Sequence, residues 1–383
     1  NNTRHRSNEV LHYLLKQARR MLSSAYRRRT ASPVVRSMII LQLAIFLNLS
    51  RCHGFLQRPV FPLMAPNNDW HENCVQEFRK VSTTILEAVS EMTIQRGCQF
   101  YCIHYDLVEP RQPQQQEDCS SQNTSLDAPI VVLHGGPGIP SDYLRPLQSI
   151  VKPTREILFW DQLGCGKSDR PEDEMVYSID LFVNDLVQLL DELSLGTSSK
   201  PFHLYGQSFG GILAFEYLKR ERPNHCLSVV LSSTPTNVRQ VEEQANQLLQ
   251  DIQREKSISD TDLAEAFRIK HQCQTKIRPP PLEEAYAAAG TVFRGTTAIA
   301  DYVATMASED DFPIETPALV LRGEHDFVTS PCIQGWKDLF QSITMLELEG
   351  CAHHGLLERP EEYGKTLESF WQLQEQSVLA RAE

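Results

Sequence analysis

The sequence predicts a doubly wound α/β fold, with a mostly parallel sheet, helices on both faces and a helical cap subdomain. Short apolar runs alternate with helical patterns, and one connection between two runs is abnormally long. The composition, 41% hydrophobic and 22% charged over 383 residues, is that of an ordinary globular protein. A chain of this length can form one large domain with a subdomain.

The predicted strands are continuous apolar runs, as expected for strands buried on both faces. They cover 130–133, 157–160, 202–205, 229–231, 318–321 and 343–348. Helical patterns lie between several of them, for example over 178–193, where Phe182, Leu186 and Leu189 share one face. Buried strands that alternate with helices favour a parallel sheet.

The connection over 235–316 is 82 residues long, whereas such connections usually take about 2–6 residues. Its apolar positions, such as Val238, Val241 and Leu248, have a helical period. We expect a helical cap over the carboxyl ends of the strands, where open α/β sheets bind ligands. The core would then consist of 90–234 and 317–383.

The region before the core has its own patterns. A helical segment is predicted over 59–89, and alternation at Cys98, Phe100 and Cys102 predicts an antiparallel strand pair with one solvated face. The polar stretch 109–127 is typical of a surface loop. Nine cysteines follow residue 60 without repeated spacing, which predicts buried free thiols rather than a disulfide framework.

The net charge of -12 is divided unevenly along the chain. Residues 1–60 carry eleven basic residues and one acidic residue, a charge of +10, whereas the rest has 26 basic and 48 acidic residues, a charge of -22. The acidic body should repel nucleic acid, so no nucleic-acid partner is predicted. The oligomeric state is left open.

The basic N-terminal stretch is followed by an apolar run over 38–49 and by small residues around Cys52-His53-Gly54. The run is shorter than the roughly 20 residues that a membrane span needs, so no stable span is predicted. The pattern favours a targeting presequence over 1–58, directed to an organelle or the secretory pathway. The alternative is an irregular extension or a mis-assigned start of a cytoplasmic protein.

A serine nucleophile is predicted at Ser208. The run Gly206-Gln-Ser208-Phe-Gly210 follows an apolar strand and precedes a helical pattern. In a G-x-S-x-G turn of this type, small residues allow the strand and helix to approach closely, so that the serine hydroxyl is exposed. The alternative, a glycine-rich turn without a chemical role, is disfavoured by the flanking strand and helix.

The remaining groups of a serine hydrolase follow in chain order. Asp326 comes just after the strand 318–321, and His353 follows the strand 343–348. Ser, Asp, His is the order of a catalytic triad in the α/β-hydrolase fold. The amides of Gly136, after the strand 130–133, and of Phe209 are the predicted oxyanion-hole donors.

Two other motifs are rejected as sites. Gly164-Cys-Gly166-Lys167-Ser168 ends like a phosphate-binding loop, but Asp161 stands where that loop needs its first glycine. Cys351 and His353 are too few for a zinc site, which takes about four ligands. No metal is therefore predicted.

The motifs HGGPG at 134–138, DQLGCGKS at 161–168 and GQSFGG at 206–211 resemble those of the proline iminopeptidase family. The resemblance extends from about residue 90 to the C-terminus. It implies cofactor-free release of N-terminal residues, often proline, from short peptides. It also implies that His353 rather than His354 is the base, because His353 begins a His-x4-Glu-x-Pro pattern that ends at Pro360.

One departure concerns the glutamates with which the family binds the substrate ammonium. Ala298 and Phe327 stand at the corresponding positions. An unpaired buried ammonium is unfavourable, and Glu265, Glu283 or Glu284 could substitute. Otherwise the protein is an esterase or amidase for small uncharged acyl compounds. A third alternative is a non-enzymatic relative that retains the pocket and binds a ligand.

Overall fold

The computed structural model describes residues 91–110, 126–256, 260–306, 308 and 312–382. These residues form one eight-stranded sheet with flanking helices. The strands are β1 (Glu91–Arg96), β2 (Gln99–Val108), β3 (Ile130–Leu133), β4 (Ile157–Trp160), β5 (Phe202–Gln207), β6 (Cys226–Ser232), β7 (Ala318–Gly323) and β8 (Ile343–Leu348).

The order of the strands in the sheet is β1-β2-β4-β3-β5-β6-β7-β8. The first two pairings, β1 with β2 and β2 with β4, are antiparallel, and all the others are parallel. The chain order reverses at β3, which lies between β4 and β5. Ligands bind beside such a reversal, at the carboxyl ends of the strands. The predicted fold class is confirmed.

Within the described residues, six longer helices accompany the sheet. They are α1 (Ile179–Glu192), α2 (Phe209–Glu221), α3 (Val238–Lys256), α4 (Asp260–Phe267), α5 (Pro280–Ala287) and α6 (Pro360–Ala382). Shorter helical turns cover Ser141–Leu144, Leu147–Ile150, Glu174–Val176, Arg268–Gln272, Thr296–Ile299, Ser330–Ile333, Trp336–Leu339 and Gly355–Glu358.

The hydrophobic core has one cluster on each face of the sheet. Val131 and Leu133 of β3 pack with residues of α1 and α2, whereas Ile130 and Val132 pack with residues of α6. Successive residues of a strand point to opposite faces, so a continuous apolar run supplies both clusters. Helix α1 begins after Ser178, whose hydroxyl accepts a hydrogen bond from the amide of Leu181 at 3.2 Å.

The antiparallel pair of β1 and β2 exists, but its buried face is the opposite of the one suggested by the alternation in the sequence. Phe100 is 62% exposed and Cys98 is exposed, whereas Ile103 and Tyr105 are buried. Ile103 and Tyr105 pack against the core, and the alternate positions face outward.

Five of the described cysteines are buried and free, namely Cys165, Cys226, Cys273, Cys332 and Cys351. The expectation of buried thiols was wrong for Cys98.

Residues 235–316, which we call the inserted segment, contain α3, α4 and α5 and contact the loops at the carboxyl ends of the strands. The amide of Gly290 donates to Gly138 O at 2.8 Å, and the amide of Gly295 donates to Pro137 O at 3.2 Å. The amide of His354 donates to Gln272 O at 3.1 Å. These bonds connect the inserted segment to two of the loops that carry the predicted site residues.

The presequence predicted over 1–58, the helical segment over 59–89 and most of the loop over 109–127 lie outside the described residues. Among the helices that are described, none combines the length and apolar character that a membrane crossing requires.

Candidate active site

Ser208 occupies the sharp turn between β5 and α2. Its backbone has φ 53° and ψ -117°, in a region that residues other than glycine rarely adopt. The amide of Ser208 donates to Ser232 O at 2.8 Å, which ties the turn to β6. A strained backbone conformation of this type is often found at functional sites, and here it places the serine at the pocket described below.

Close backbone packing at this turn requires glycine. A Cβ added to Gly210 would lie 1.9 Å from the carbonyl oxygen of Leu133, at the end of β3. A Cβ on Gly206 would lie 2.5 Å from the backbone of Gly210. The two glycines of the G-x-S-x-G motif therefore allow α2 to approach β3 and β5 closely enough to hold Ser208 at the sheet edge.

Asp326 and His353 are in direct contact, although they come from different loops. Asp326 Oδ1 lies 2.8 Å from His353 Nδ1 and also accepts the amide of Val328 at 2.8 Å. Both side chains are buried, Asp326 at 2% and His353 at 6% exposure. A proton on Nδ1 would be shared with the carboxylate, which leaves Nε2 free to accept a proton from a hydroxyl.

Ser208 and His353 line the same pocket, which has a volume of about 190 Å³. The residues that line it come from the strand-end loops and from the inserted segment. They are Gly136, Pro137, Ile139, Tyr143, Gln207, Ser208, Gln272, Tyr286, Arg294, Gly295, Phe327, His353 and His354. Within the part of the chain that the structure describes, no carboxylate lines this pocket.

The two predicted oxyanion donors are in different positions relative to the pocket. Gly136 lines it, with φ 116°. Phe209 is the first residue of α2, and its side chain is 1% exposed. The first amides of a helix have no hydrogen-bond partner within the helix. The Phe209 amide, which lies next to Ser208 at the start of α2, is therefore not used in the hydrogen bonds of that helix.

The loop that carries Gly136 is held by a buried hydrogen-bond network. The amide of Gly135 donates to the Tyr143 hydroxyl at 2.8 Å, and this hydroxyl donates to Gln207 Oε1 at 2.6 Å. Gln207 Nε2 in turn donates to His353 O at 3.4 Å. The network thus joins the Gly136 loop, the residue before Ser208 and the histidine loop. Sequence reasoning missed Tyr143 and Gln207, although Gln207 adjoins the nucleophile.

His134 fixes the other side of this loop. Its Nε2 accepts the amide of Gln162 at 2.9 Å, and its Nδ1 lies 3.1 Å from Gly135 O. Burial lowers the pKa of His134, so the ring is neutral with its proton on Nδ1.

The loop over 161–168, which contains Gln162, is held by Asp161. The Asp161 carboxylate accepts the amides of Ser141 and Lys167, each at 3.0 Å. The motif that ends like a phosphate-binding loop therefore has a structural role here.

The aromatic wall of the pocket packs on the histidines. The ring of Phe327 lies 4.2 Å from that of His353, between ring centroids, and His354 lies edge-on to His353 at 5.3 Å. Burial holds the pKa of His354 well below its usual value. His354 is therefore neutral near pH 7. Glu358 accepts the amide of Ala352 at 2.7 Å and so orients the loop of His353.

The glutamates considered as substitutes for the ammonium ligands are positioned elsewhere. Glu265 pairs with Arg268 at 2.7 Å, and this bond lowers the pKa of Glu265. Glu283 pairs with Arg278 at 2.8 Å. Glu284 is exposed. Of the four candidate substrate-binding residues, the structure brings only Phe327 into the pocket.

The profile of the family described as serine aminopeptidase, S33, matches residues 124–359, more than half of the chain. A proline iminopeptidase of Lactobacillus helveticus is 27% identical over 265 residues, covering 63% of this chain and 89% of that protein. Another, from Saccharolobus solfataricus, is 29% identical over 262 residues, covering 63% and 84%.

Solved structures share the fold at lower identity. A proline iminopeptidase of Mycobacterium smegmatis is similar with a TM-score of 0.61 and 22% identity, covering 76% of this chain and 100% of that chain. An esterase from Thermogutta terrifontis has a TM-score of 0.53 and 16% identity, covering 75% and 100%. The fold is thus common to a peptidase and an esterase and does not distinguish between them.

Fold and relatives together define an α/β-hydrolase. The chain belongs to the serine aminopeptidase (S33) family and is a serine hydrolase. The resemblance to proline iminopeptidases that was expected from the motifs is confirmed by the relatives.

Proposed function

We propose that this protein is a serine aminopeptidase that removes the N-terminal residue, in particular proline, from short peptides. The observation that carries this proposal is the contact of Asp326 with His353 at 2.8 Å, in a pocket that also contains the strained Ser208. Its relatives named proline iminopeptidase support the substrate class. We further propose that the inserted segment is a cap that excludes large substrates, because four of its residues line the small pocket.

The mechanism that follows is acyl transfer. His353 Nε2 takes the proton of the Ser208 hydroxyl as its Oγ attacks the carbonyl carbon of the scissile bond. Asp326 holds the imidazole in the required tautomer and stabilises its positive charge. The imidazolium then gives the proton to the leaving amine, and a water activated by His353 hydrolyses the acyl-enzyme.

The oxyanion of the tetrahedral intermediate would be stabilised by the amides of Gly136 and Phe209. The Gly136 loop is fixed in advance by the bonds of Tyr143 and His134, so that little reorganisation is needed during the reaction. Loss of one donor from an oxyanion hole typically lowers the rate by about 10²–10³.

A second candidate function is hydrolysis of small uncharged esters or amides. It is favoured by the pocket lining, which contains Phe327 and no carboxylate among the described residues. A bound ammonium without a carboxylate is unfavourable, and an uncharged acyl group avoids this cost.

Comparison of kcat/KM for proline naphthylamide and for p-nitrophenyl acetate tests the two functions. The aminopeptidase proposal expects efficient hydrolysis of the naphthylamide, and Ser208→Ala should lose it. Acetyl-proline naphthylamide, which lacks the free amine, is the matched control substrate and should be cleaved poorly. Clear preference for the ester, or equal cleavage of the acetylated compound, would overturn the aminopeptidase proposal in favour of the second function.

A further inference from the structure

Arg294 differs from the other arginines of the inserted segment in its surroundings. Four of the five pair with a carboxylate: Arg239 with Asp301, Arg254 with Asp251, Arg268 with Glu265 and Arg278 with Glu283. Among the residues that the structure describes, no carboxylate pairs with Arg294, which lines the pocket of Ser208 and His353.

The side chain of Arg294 is close enough to the pocket for its charge to act there. Tyr286, another residue of the lining, is influenced by the charges of two arginines. The guanidinium of Arg278 lies 4.9 Å from the centre of the Tyr286 ring and pairs with Glu283 at 2.8 Å. Burial raises the pKa of the Tyr286 hydroxyl, and the positive charges of Arg278 and Arg294 act against this rise.

The charge balance of the pocket therefore favours an anion. His354 is neutral because its pKa is lowered by burial, and the lining contributes one cationic side chain without a carboxylate. A guanidinium binds a carboxylate through two parallel hydrogen bonds. The amide of Gly295 donates to Pro137 O at 3.2 Å, so the backbone next to Arg294 is fixed beside the loop of Gly136.

We propose that Arg294 binds a carboxylate of the substrate, so that the preferred substrates are very short peptides whose free C-terminal carboxylate lies in the pocket with the scissile bond. The inference rests on the proposed hydrolase site but not on the choice between peptide and ester. It assigns to the pocket a preference for an anionic group of the substrate, bound by Arg294.

The test compares prolyl-glycine with prolyl-glycinamide, and O-acetylglycolate with its amide. Within each pair the scissile bond is the same and only the terminal charge differs. The wild-type protein should prefer the free acid by about tenfold in kcat/KM, the scale of one charged hydrogen-bonded pair. In Arg294→Gln this ratio should fall to near one, and Arg294→Lys should retain part of it.

Arg239→Gln is the matched control, because Arg239 is an arginine of the same segment that pairs with Asp301 on the surface. It should keep the wild-type ratio. An unchanged ratio in Arg294→Gln, or a wild-type protein that treats acid and amide alike, would overturn the inference. Raised ionic strength should reduce the preference in the wild type and leave Arg294→Gln unaffected.

The two substrate pairs separate this inference from the proposed function. Cleavage of the ester pair alone, with a preference that depends on Arg294, would support the carboxylate site and contradict the aminopeptidase. Cleavage of the prolyl pair with a ratio of acid to amide that is the same in wild type and Arg294→Gln would support the aminopeptidase and contradict the carboxylate site. If neither pair is turned over, the same four compounds are tested for protection of Ser208 from a fluorophosphonate probe. The ratio of protection by acid to protection by amide then replaces the ratio of kcat/KM.

Discussion

Asp326 Oδ1 lies 2.8 Å from His353 Nδ1, although 27 residues separate the two in the sequence. Each side chain follows the carboxyl end of a strand, Asp326 after β7 and His353 after β8, and these strands are parallel neighbours. The parallel pairing brings both loops to the edge of the sheet at which β5 is followed by Ser208. The sheet topology is therefore the physical cause of the proposed triad.

The adjacent histidines provide a matched pair of variants. His353→Gln should lower kcat by a factor of about 10⁴ to 10⁶, as loss of the base does in related chemistry. His354→Gln should lower it by at most about tenfold, because His354 has its pKa held low by burial and does not exchange protons near pH 7. Steady-state kinetics on one substrate measures both, and a larger loss in His354→Gln would contradict the assignment of the base.

Tyr143→Phe tests whether the network behind the Gly136 loop positions the oxyanion donor. The variant leaves the amide of Gly135 without its partner at 2.8 Å, which should reduce stability by about 1–3 kcal/mol. We expect kcat to fall about tenfold with little change in KM, since the donor acts mainly in the transition state.

Tyr177→Phe is the control for this variant. The Tyr177 hydroxyl donates to Pro171 O at 2.7 Å, and Tyr177 is not among the residues that line the pocket. It should lose stability without a comparable loss of kcat. Equal effects of the two variants on kcat would show that Tyr143 acts only through stability.

Gly210→Ala tests the close approach at the nucleophile turn. The added methyl group would meet the carbonyl oxygen of Leu133 at 1.9 Å, and backbone on both sides must move. We expect a loss of stability of about 1–3 kcal/mol or more, with loss of activity as Ser208 shifts. In Gly355→Ala the nearest atom would be 3.4 Å away, so thermal unfolding and activity should be close to wild type. A folded and active Gly210→Ala would refute the requirement.

A buried ion-pair network should make stability depend on pH. Arg155 pairs with Glu375 at 2.6 Å and with Glu368 at 2.9 Å, and Glu375 also lies 3.3 Å from His203. Burial would raise the pKa of Glu375, but the bonds to His203 and Arg155 outweigh this and lower it. The folded state thus binds fewer protons at this carboxylate than the unfolded state does. The contribution of Glu375 to the free energy of unfolding is fully present above its unfolded pKa of about 4.3. It is lost as the pH falls through the lower pKa that Glu375 has in the folded state.

Glu375→Gln should therefore reduce the free energy of unfolding by about 1–3 kcal/mol at pH 7. The difference from wild type should shrink as pH falls below about 4. Glu362 lies on the same helix as Glu375, and Glu362→Gln, which removes an exposed pair with Arg359, should cost at most about 1 kcal/mol. Urea unfolding across this pH range measures both, and a constant difference between wild type and Glu375→Gln would refute the linkage.

The sequence was most informative where structure depends on local patterns. The apolar runs located all six core strands, with β5, β6 and β7 extended by a few residues. Ser208, Asp326 and His353 could be proposed because each follows a strand, and a parallel sheet brings strand ends together. The face of β2 was misjudged because Phe100 is apolar but stands on the exposed side of an edge pair.

The partners of individual side chains outside the strand ends were not predicted. Arg268 is three residues after Glu265 and Arg278 is five residues before Glu283, so local pairing was possible from the sequence. The sequence did not show whether either glutamate forms that pair or faces the pocket. Arg294 was also missed. What sets it apart from the other arginines is that no carboxylate of the described residues pairs with it, which only the structure shows. Tyr143 and Gln207 are 64 residues apart in the sequence, and only the fold brings them into contact.

Labelling with a fluorophosphonate probe, read by mass spectrometry, tests the proposed triad most directly. We expect a single adduct on Ser208, no adduct in Ser208→Ala, and labelling slowed by at least about 10²-fold in His353→Gln, because the hydroxyl loses its base. An adduct that persists on another residue in Ser208→Ala, or labelling of His353→Gln at the wild-type rate, would contradict the account.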